Sequence, residues 1–115
     1  MLNFKKLDWN TEINMMPNNK KMFFRNASTH EKIFFKNKLI GYYIIMSPNE
    51  YSVTRSKVYS LPRSRYFIPL NIEYRDWVSN YRKYEIYLGN YIKPTKKYVK
   101  EEILKILERS KNDWR

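Results

Sequence analysis

Apolar residues change their spacing along the chain, and each change predicts a different kind of structure. Residues 1–30 show neither a sustained helical nor an alternating period, and Pro17, Asn18 and Asn19 interrupt them. Their short apolar groups are nevertheless too frequent for a disordered tail. We therefore predict an irregular basic extension over residues 1–30 that becomes ordered on a partner. The alternative is a flexible tail with incidental aromatic residues.

From Glu31 onward the pattern is typical of strands. Leu39–Met46 is a continuous apolar run, which predicts a strand covered on both faces. Residues from 51 to about 58 alternate between apolar and polar, which predicts a strand with one polar face. Further strands are expected at residues 33–35, 67–74 and 84–88, with Pro69 at a sheet edge and a turn over residues 76–80.

The last long element has the signature of a helix. Pro94 cannot continue a strand ladder, and Thr95 is a good N-cap residue. The apolar residues that follow recur at helical spacing: Val99, Ile103, Ile106 and Leu107. Glu101 and Lys105 are spaced as an i,i+4 ion pair. We predict an α+β fold in which residues 31–115 form one small domain, an antiparallel sheet packed by this C-terminal helix.

Charge narrows the class of partner. The 115 residues carry a formal net charge of +12, with a pI near 9.9. Residues 51–100 contain eleven Lys or Arg against three acids, so the excess is greatest in the middle of the chain. Such an excess favours a polyanionic partner, with nucleic acid first and an anionic membrane second.

Residues 63–83 are the predicted working surface because arginines alternate there with large aromatic residues. Guanidinium groups pair with phosphates, and aromatic rings can stack on bases or pack in a core. A second group of cations surrounds the start of the predicted helix, where cations are unfavourable unless an anion is present. The predicted RNA-binding residues are Arg55, Arg63, Arg65, Tyr66, Arg75, Trp77, Tyr81, Arg82, Lys83, Lys93, Lys96, Lys97 and Lys100.

Signatures of enzyme chemistry are missing from the sequence. There is no cysteine, and His30 is the sole histidine, expected at the surface. Glu101 and Glu102 point about 100° apart on a helix, so they cannot share one site. Residues 41–45 loosely resemble the opening of the GIY-YIG nuclease motif, but its second half is absent. We expect no catalytic residue, metal site, cofactor or small-molecule substrate, and no membrane span because no apolar run approaches ~20 residues.

The segment from Pro69 to Leu107 resembles small-subunit ribosomal proteins of the head. Residues 77–81 (WVSNY), followed by residues 95–99 (TKKYV) opening a helix, resemble the start of ribosomal protein family three. Family nineteen is matched in order by residues 63–64, Pro69, residues 84–89, Pro94 and residues 99–102. Family ten is matched by residues 61–62, 84–86 and 94–95. Its Ser-Pro-His loop and the Gly-His-Lys-Leu-Gly signature of family nineteen are missing, as are the arginine and glycine usual in family three.

The resemblance implies a non-enzymatic constituent of a small ribosomal subunit, with ribosomal RNA and neighbouring ribosomal proteins as partners. Abundant Asn, Lys, Ile and Tyr with a single alanine indicate an A+T-rich gene, for which a mitochondrial genome is one source. We therefore expect a mitochondrial location. Two alternatives stay open: a matrix-side accessory subunit of a respiratory-chain complex, and a free-standing nucleic-acid-binding protein of a virus or phage.

Overall fold

A computed structural model gives the structure of the chain and describes residues 1–47, 63–89 and 94–111, with the backbone of residues 53–54 and 57–58. The strands are β1 (Leu2–Lys6), β2 (Ala27–Phe35), β3 (Lys38–Met46), β4 (Val53–Thr54), β5 (Lys57–Val58) and β6 (Arg65–Pro69). The helices are α1 (Asn18–Lys21), α2 (Tyr74–Ser79), α3 (Tyr81–Tyr84) and α4 (Lys96–Arg109), with a 3₁₀ turn at Ile13–Met15. The predicted α+β class, with an antiparallel sheet and a C-terminal helix, is confirmed.

Four strands form one antiparallel sheet in the spatial order β1, β2, β3, β6. Two rows of neighbouring residues cross it, Phe4–Ile33–Gly41–Pro69 and Lys6–Glu31–Tyr43–Phe67. Because alternate residues of a strand point to the same side, both rows lie on one face of the sheet, which we call the helix face. The predicted edge position of Pro69 is confirmed, since β6 is an outer strand of this sheet.

Helix α4 lies over the helix face. The ammonium nitrogen of Lys96 is 4.4 Å from the ring centroid of Phe4 and 5.5 Å from that of Tyr43. Thr95 caps the helix as predicted, since its hydroxyl accepts a hydrogen bond from the backbone N–H of Tyr98 at 3.2 Å. The four apolar residues that predicted the helix are all buried: Val99, Ile103, Ile106 and Leu107.

The opposite face of the sheet is covered by residues 7–26 and by α2. Phe24 packs edge-on against Tyr42, with ring centroids 5.3 Å apart. Trp77 of α2 packs edge-on against Tyr66 at 5.4 Å. Both faces of β3 are therefore covered over residues 40–44, which explains the continuous apolar run of this strand.

Gly41 on β3 has no room for a side chain because the neighbouring strand β6 passes very close to it. A Cβ at this position would lie 2.3 Å from the carbonyl oxygen of Ile68 and 2.8 Å from the ring of Phe67. The carbonyl oxygen is part of the backbone and cannot move away without separating β3 from β6. The glycine of the nuclease-like stretch therefore has a structural explanation.

Residues 1–30 differ from the predicted irregular extension. Residues 2–6 form the outer strand β1, paired with β2, and residues 27–30 already belong to β2. Leu7, Ile13 and Phe24 are buried in the same hydrophobic core as the rest of the sheet. Part of this segment therefore belongs to the chain's own sheet and core, while Trp9, Met15 and Met22 stay exposed.

The aromatic segment after β6 is helical rather than a strand, a turn and a strand. The predicted strand over residues 67–74 ends at Pro69, and the predicted turn at 76–80 is instead the greater part of α2 with its C-cap Asn80. The predicted strand over residues 84–88 is reduced to a single bridge between Glu85 and Tyr66. Aromatic residues at 74, 77, 81 and 84 are spaced by three or four, so the helical period prevailed over their β-propensity.

Two smaller predictions also differ from the structure. Of the strand predicted over residues 51–58, the described parts β4 and β5 pair with each other in antiparallel fashion instead of continuing as one strand. Lys105 forms a salt bridge of 2.8 Å with Glu102, three residues earlier, and not with Glu101. Glu102 is almost buried, so the lysine neutralises a carboxylate at the margin of the core.

Candidate nucleic-acid interface

The predicted RNA-binding residues fall into two places in the fold. Arg55 and Lys93 lie outside the described residues. We call the stretch from Arg63 to Lys83 the arginine–aromatic region; it comprises β6, α2 and most of α3. The remaining three residues belong to the first turns of α4, on the other side of the sheet: Lys96, Lys97 and Lys100.

Trp77 belongs to the core and is not an open stacking surface. Its side chain is only 7% exposed. The indole N–H donates a buried hydrogen bond of 3.1 Å to the carbonyl oxygen of Phe67, and the ring packs edge-on against Phe23 at 5.4 Å. Of the two roles open to it from the sequence, stacking on a base or packing, the structure places it in the second.

Arg65 is likewise engaged inside the protein. Its Nη1 donates a hydrogen bond of 2.7 Å to the hydroxyl of Tyr43, and burial raises the pKa of that tyrosine. The Nε of Arg65 is buried and makes no hydrogen bond within the described residues. Arg63 is more exposed, and its Nη1 lies 3.3 Å from the hydroxyl of Ser28. Arg65 therefore holds β6 against β3 rather than presenting a free guanidinium.

The exposed members of the arginine–aromatic region lie on α2 and α3. Arg75 is 86% exposed and contacts Glu73 at 3.5 Å. The guanidinium carbon of Arg82 lies 5.9 Å from the ring centroid of Tyr81, and its Nε contacts the hydroxyl at 3.3 Å. Two further members make ring contacts: Tyr66 packs edge-on against Tyr81 at 6.3 Å, and the ammonium of Lys83 lies 5.8 Å from the ring of Tyr84. Most cations of this region therefore contact a ring or a carboxylate of the chain itself.

Cations converge more closely at the start of α4. Lys96 and Lys100 both reach the ring of Phe4 on β1, with ammonium-to-centroid distances of 4.4 and 5.9 Å. Lys96 also contacts Glu31 at 2.9 Å, and Lys6 is the cross-strand neighbour of Glu31. We call Lys6, Lys96, Lys97 and Lys100 the lysine cluster.

Helical geometry keeps the three α4 members of the lysine cluster on one side. At about 100° per residue, positions 96, 97 and 100 fall within an arc of about 100°. Among the described residues, Lys6, Lys97 and Lys100 form no salt bridge, although Glu101 lies one turn after Lys97. The cluster is therefore a patch of net positive charge, in which Glu31 pairs with Lys96 and Asp8 interacts electrostatically with Lys6.

Lys6 is a member that the sequence analysis missed. It is separated from Lys96 by 89 intervening residues, and only the pairing of β1 with β2 brings the two lysines to the same carboxylate. The sequence offered one signal, the Phe4-Lys5-Lys6 run. Nothing local connects that run to the helix start.

The structure places His30 in an aromatic setting rather than at the open surface. Its ring lies 6.0 Å from that of Trp9 and 6.1 Å from that of Phe24. Partial burial, reinforced by the charge of Lys6, holds the pKa of His30 below its usual value. Within the described residues, no three His, Asp or Glu side chains come together as a metal-binding group.

An open groove of about 1020 Å³ separates α3 and the following residues from the C-terminal half of α4. Its charged lining residues carry both signs in equal number: Arg82, Lys105, Arg109, Glu85, Glu102 and Glu108. This balance contrasts with the lysine cluster at the other end of the same helix. The groove is therefore a poor site for a polyanion.

Comparison with known proteins returned nothing: no protein-family model, curated protein or solved structure matches the chain significantly. The resemblance to ribosomal protein families stays a prediction from the sequence. No helix in the described part of the chain is long and apolar enough to cross a membrane.

Proposed function

We propose that the chain is a non-enzymatic protein that binds structured RNA, as a constituent of the small ribosomal subunit of a mitochondrion. The observation that supports RNA binding is the lysine cluster, in which Lys6, Lys97 and Lys100 form no salt bridge within the described residues. Uncompensated cations held on rigid elements are suited to contacting backbone phosphates, which supply most of the affinity for nucleic acid.

Helix α4 gives the cluster a second physical property that fits an anionic partner. Positive side chains at the start of a helix oppose its macrodipole, at a cost of roughly 0.3–1 kcal/mol for each exposed charge. Within the protein, Lys96 is compensated by Glu31 and by the ring of Phe4. Lys97 contacts no acidic residue in the described part of the chain, so a phosphate beside it would relieve this repulsion.

In this proposal, the lysine cluster contacts phosphates, while Arg75 of the arginine–aromatic region, which is 86% exposed, adds a guanidinium elsewhere on the surface. Lysine contacts of this kind carry no sequence information, so recognition would follow RNA shape. The assignment to a mitochondrial ribosome rests on the sequence resemblance and on the A+T-rich composition of the gene.

RNA binding is tested by the salt dependence of affinity for a 20-base-pair RNA duplex. The variant Lys6→Gln, Lys97→Gln, Lys100→Gln should bind more weakly and lose about 0.9 from the slope of log K against log salt for each phosphate contact removed. The control removes the same charge from exposed positions elsewhere: Arg25→Gln, Lys36→Gln and Lys38→Gln. Equal losses in both variants would show a general charge effect and would count against the proposed site.

The ribosomal assignment has its own experiment. The endogenous protein should sediment with the small ribosomal subunit on a density gradient and leave that fraction after ribonuclease treatment and magnesium chelation. Sedimentation with membrane complexes, unchanged by ribonuclease, would overturn the assignment and favour the respiratory-chain alternative. Sedimentation as a free protein in both gradients would favour a free-standing factor.

A further inference from the structure

We propose that the groove between α3 and α4 docks an amphipathic helix of a neighbouring protein. The first observation is where exposed apolar side chains gather. Tyr81, Tyr87 and Leu104 are 40%, 71% and 46% exposed, and all three line this groove. Large apolar side chains that share one depression and are rimmed by polar residues mark interaction surfaces.

Leu104 shows that α4 has more apolar surface than the sheet covers. Its neighbours Ile103 and Ile106 are buried, whereas Leu104 is turned toward the groove. On the opposite wall, the backbone carbonyl of Tyr87 accepts a hydrogen bond from the hydroxyl of Tyr98 on α4. This bond attaches the wall that carries Tyr87 to α4. A partner helix with apolar residues spaced by three and four would cover Leu104 and both tyrosines.

Charge selects the kind of occupant. The groove is lined by three carboxylates and three cations, so its charges balance and it offers nucleic acid no net attraction. Glu102 is already neutralised by Lys105, and Glu108 by Lys111 at 2.9 Å. Glu85 forms no salt bridge within the described residues, while Arg82 stands on the same wall. A helix with an apolar centre and charged side chains of both signs at its margins would complement this lining. The groove itself is lined by two tyrosines and two arginines, residue types that are enriched in protein interfaces.

The test uses the full chain in the cells that make it, with a photo-crosslinking phenylalanine analogue at position 87 or at position 101, an exposed residue one turn after Lys97. The proposal expects the position 87 probe to give a protein adduct that survives ribonuclease and maps to a peptide with apolar residues at helical spacing. It also expects Leu104→Gln to reduce this adduct at least severalfold, because Leu104 supplies the apolar contact. The control Val78→Gln, at a side chain of similar exposure outside the groove, should leave it unchanged.

An RNA adduct at position 87, no adduct, or an adduct that Leu104→Gln does not reduce would overturn the proposal. Thermal unfolding of the purified Leu104→Gln chain checks that the fold survives. The probe at position 101 reports on RNA binding separately and leaves every lysine of the cluster in place. A protein adduct at 87 without an RNA adduct at 101 would therefore retain the docking site while the proposed RNA function fails.

Discussion

The arginine–aromatic region and the lysine cluster are both rich in cations, but the fold places these side chains differently. In the first, Arg65 bonds to Tyr43 and Trp77 is buried. In the second, Lys6, Lys96 and Lys97 are all exposed. The region with the stronger sequence signal thus turns part of its predicted interface into the protein.

The difference teaches that a high density of cations and rings along the chain does not measure the charge available on the folded surface. Closely spaced rings and guanidinium groups satisfy each other because short helices and strand ends bring them within contact distance. The lysines of the cluster are drawn from β1 and α4, where Glu31 pairs with Lys96 and Asp8 interacts electrostatically with Lys6. Because these lysines come from two segments far apart in the sequence, they outnumber the carboxylates that the fold places near them.

The largest expected effect would come from Trp77→Ala. Loss of a buried tryptophan should lower the free energy of unfolding by about 3–5 kcal/mol, because a cavity opens and the carbonyl of Phe67 loses its donor. Chemical denaturation of the purified chain measures this. If Trp77 instead stacked on RNA, the variant would keep its stability and lose about 1–3 kcal/mol of binding free energy.

Two further variants sharpen that result. Trp77→Phe retains most of the ring and loses the hydrogen bond, so it should cost about 1 kcal/mol of stability and leave RNA affinity unchanged. Tyr81→Ala removes a ring that is 40% exposed and should cost little stability. A stable Trp77→Ala protein with weakened RNA binding would move the arginine–aromatic region back to the centre of the interface.

The structure also shows which parts of the fold the sequence could predict. Helix α4 was predictable because its start, its cap and its apolar spacing are all local signals in residues 94–107. Strand β3 was predictable from its uninterrupted apolar run. Strand β1 was not, because Leu2–Lys6 alternates only weakly and its partner β2 begins twenty residues later.

The candidate site was predictable only in part, for related reasons. The lysines of α4 were identified from their position at a helix start. Lys6 was missed because its place beside Glu31 depends on strand pairing. The roles of Arg65 and Trp77 could not be assigned, since both stacking on RNA and packing in a core require the same residue types. Burial, which decides between these roles, is a property of the whole fold.

A second prediction separates stability from binding by changing pH. His30 is the sole histidine, and no other side-chain type ordinarily changes charge between pH 5 and 8. Since burial lowers its pKa in the folded state, the unfolded chain binds a proton first, and stability falls as pH drops below about 6.5. Above that pH the contribution is fully present. Denaturation at pH 8 and pH 5.5 should show this loss, and His30→Gln should reduce it.

Binding should respond differently over the same pH range. His30 packs among Trp9 and Phe24 and is not a member of the lysine cluster, although it interacts electrostatically with Lys6. If it makes no phosphate contact of its own, the salt slope for the RNA duplex should be the same at pH 8 and pH 6 while the protein stays folded. A steeper slope at pH 6 that His30→Gln abolishes would place the histidine in the interface and extend the binding surface to the other side of the sheet.

The smallest expected effect is a gain of affinity from Glu31→Gln. The carboxylate of Glu31 contacts Lys96 at 2.9 Å, so its neutral form frees a fourth lysine and removes a charge that repels phosphate. RNA affinity should rise a few-fold and the salt slope should steepen by up to about 0.9, while stability falls by about 1 kcal/mol or less.

Glu73→Gln is the matched control, because it releases Arg75 in the arginine–aromatic region. A misfolded protein would not gain affinity, so an increase limited to Glu31→Gln would locate the RNA at the lysine cluster. Equal increases in the two variants would mean that net charge, not position, governs binding, and the contrast between the two regions would lose its functional meaning.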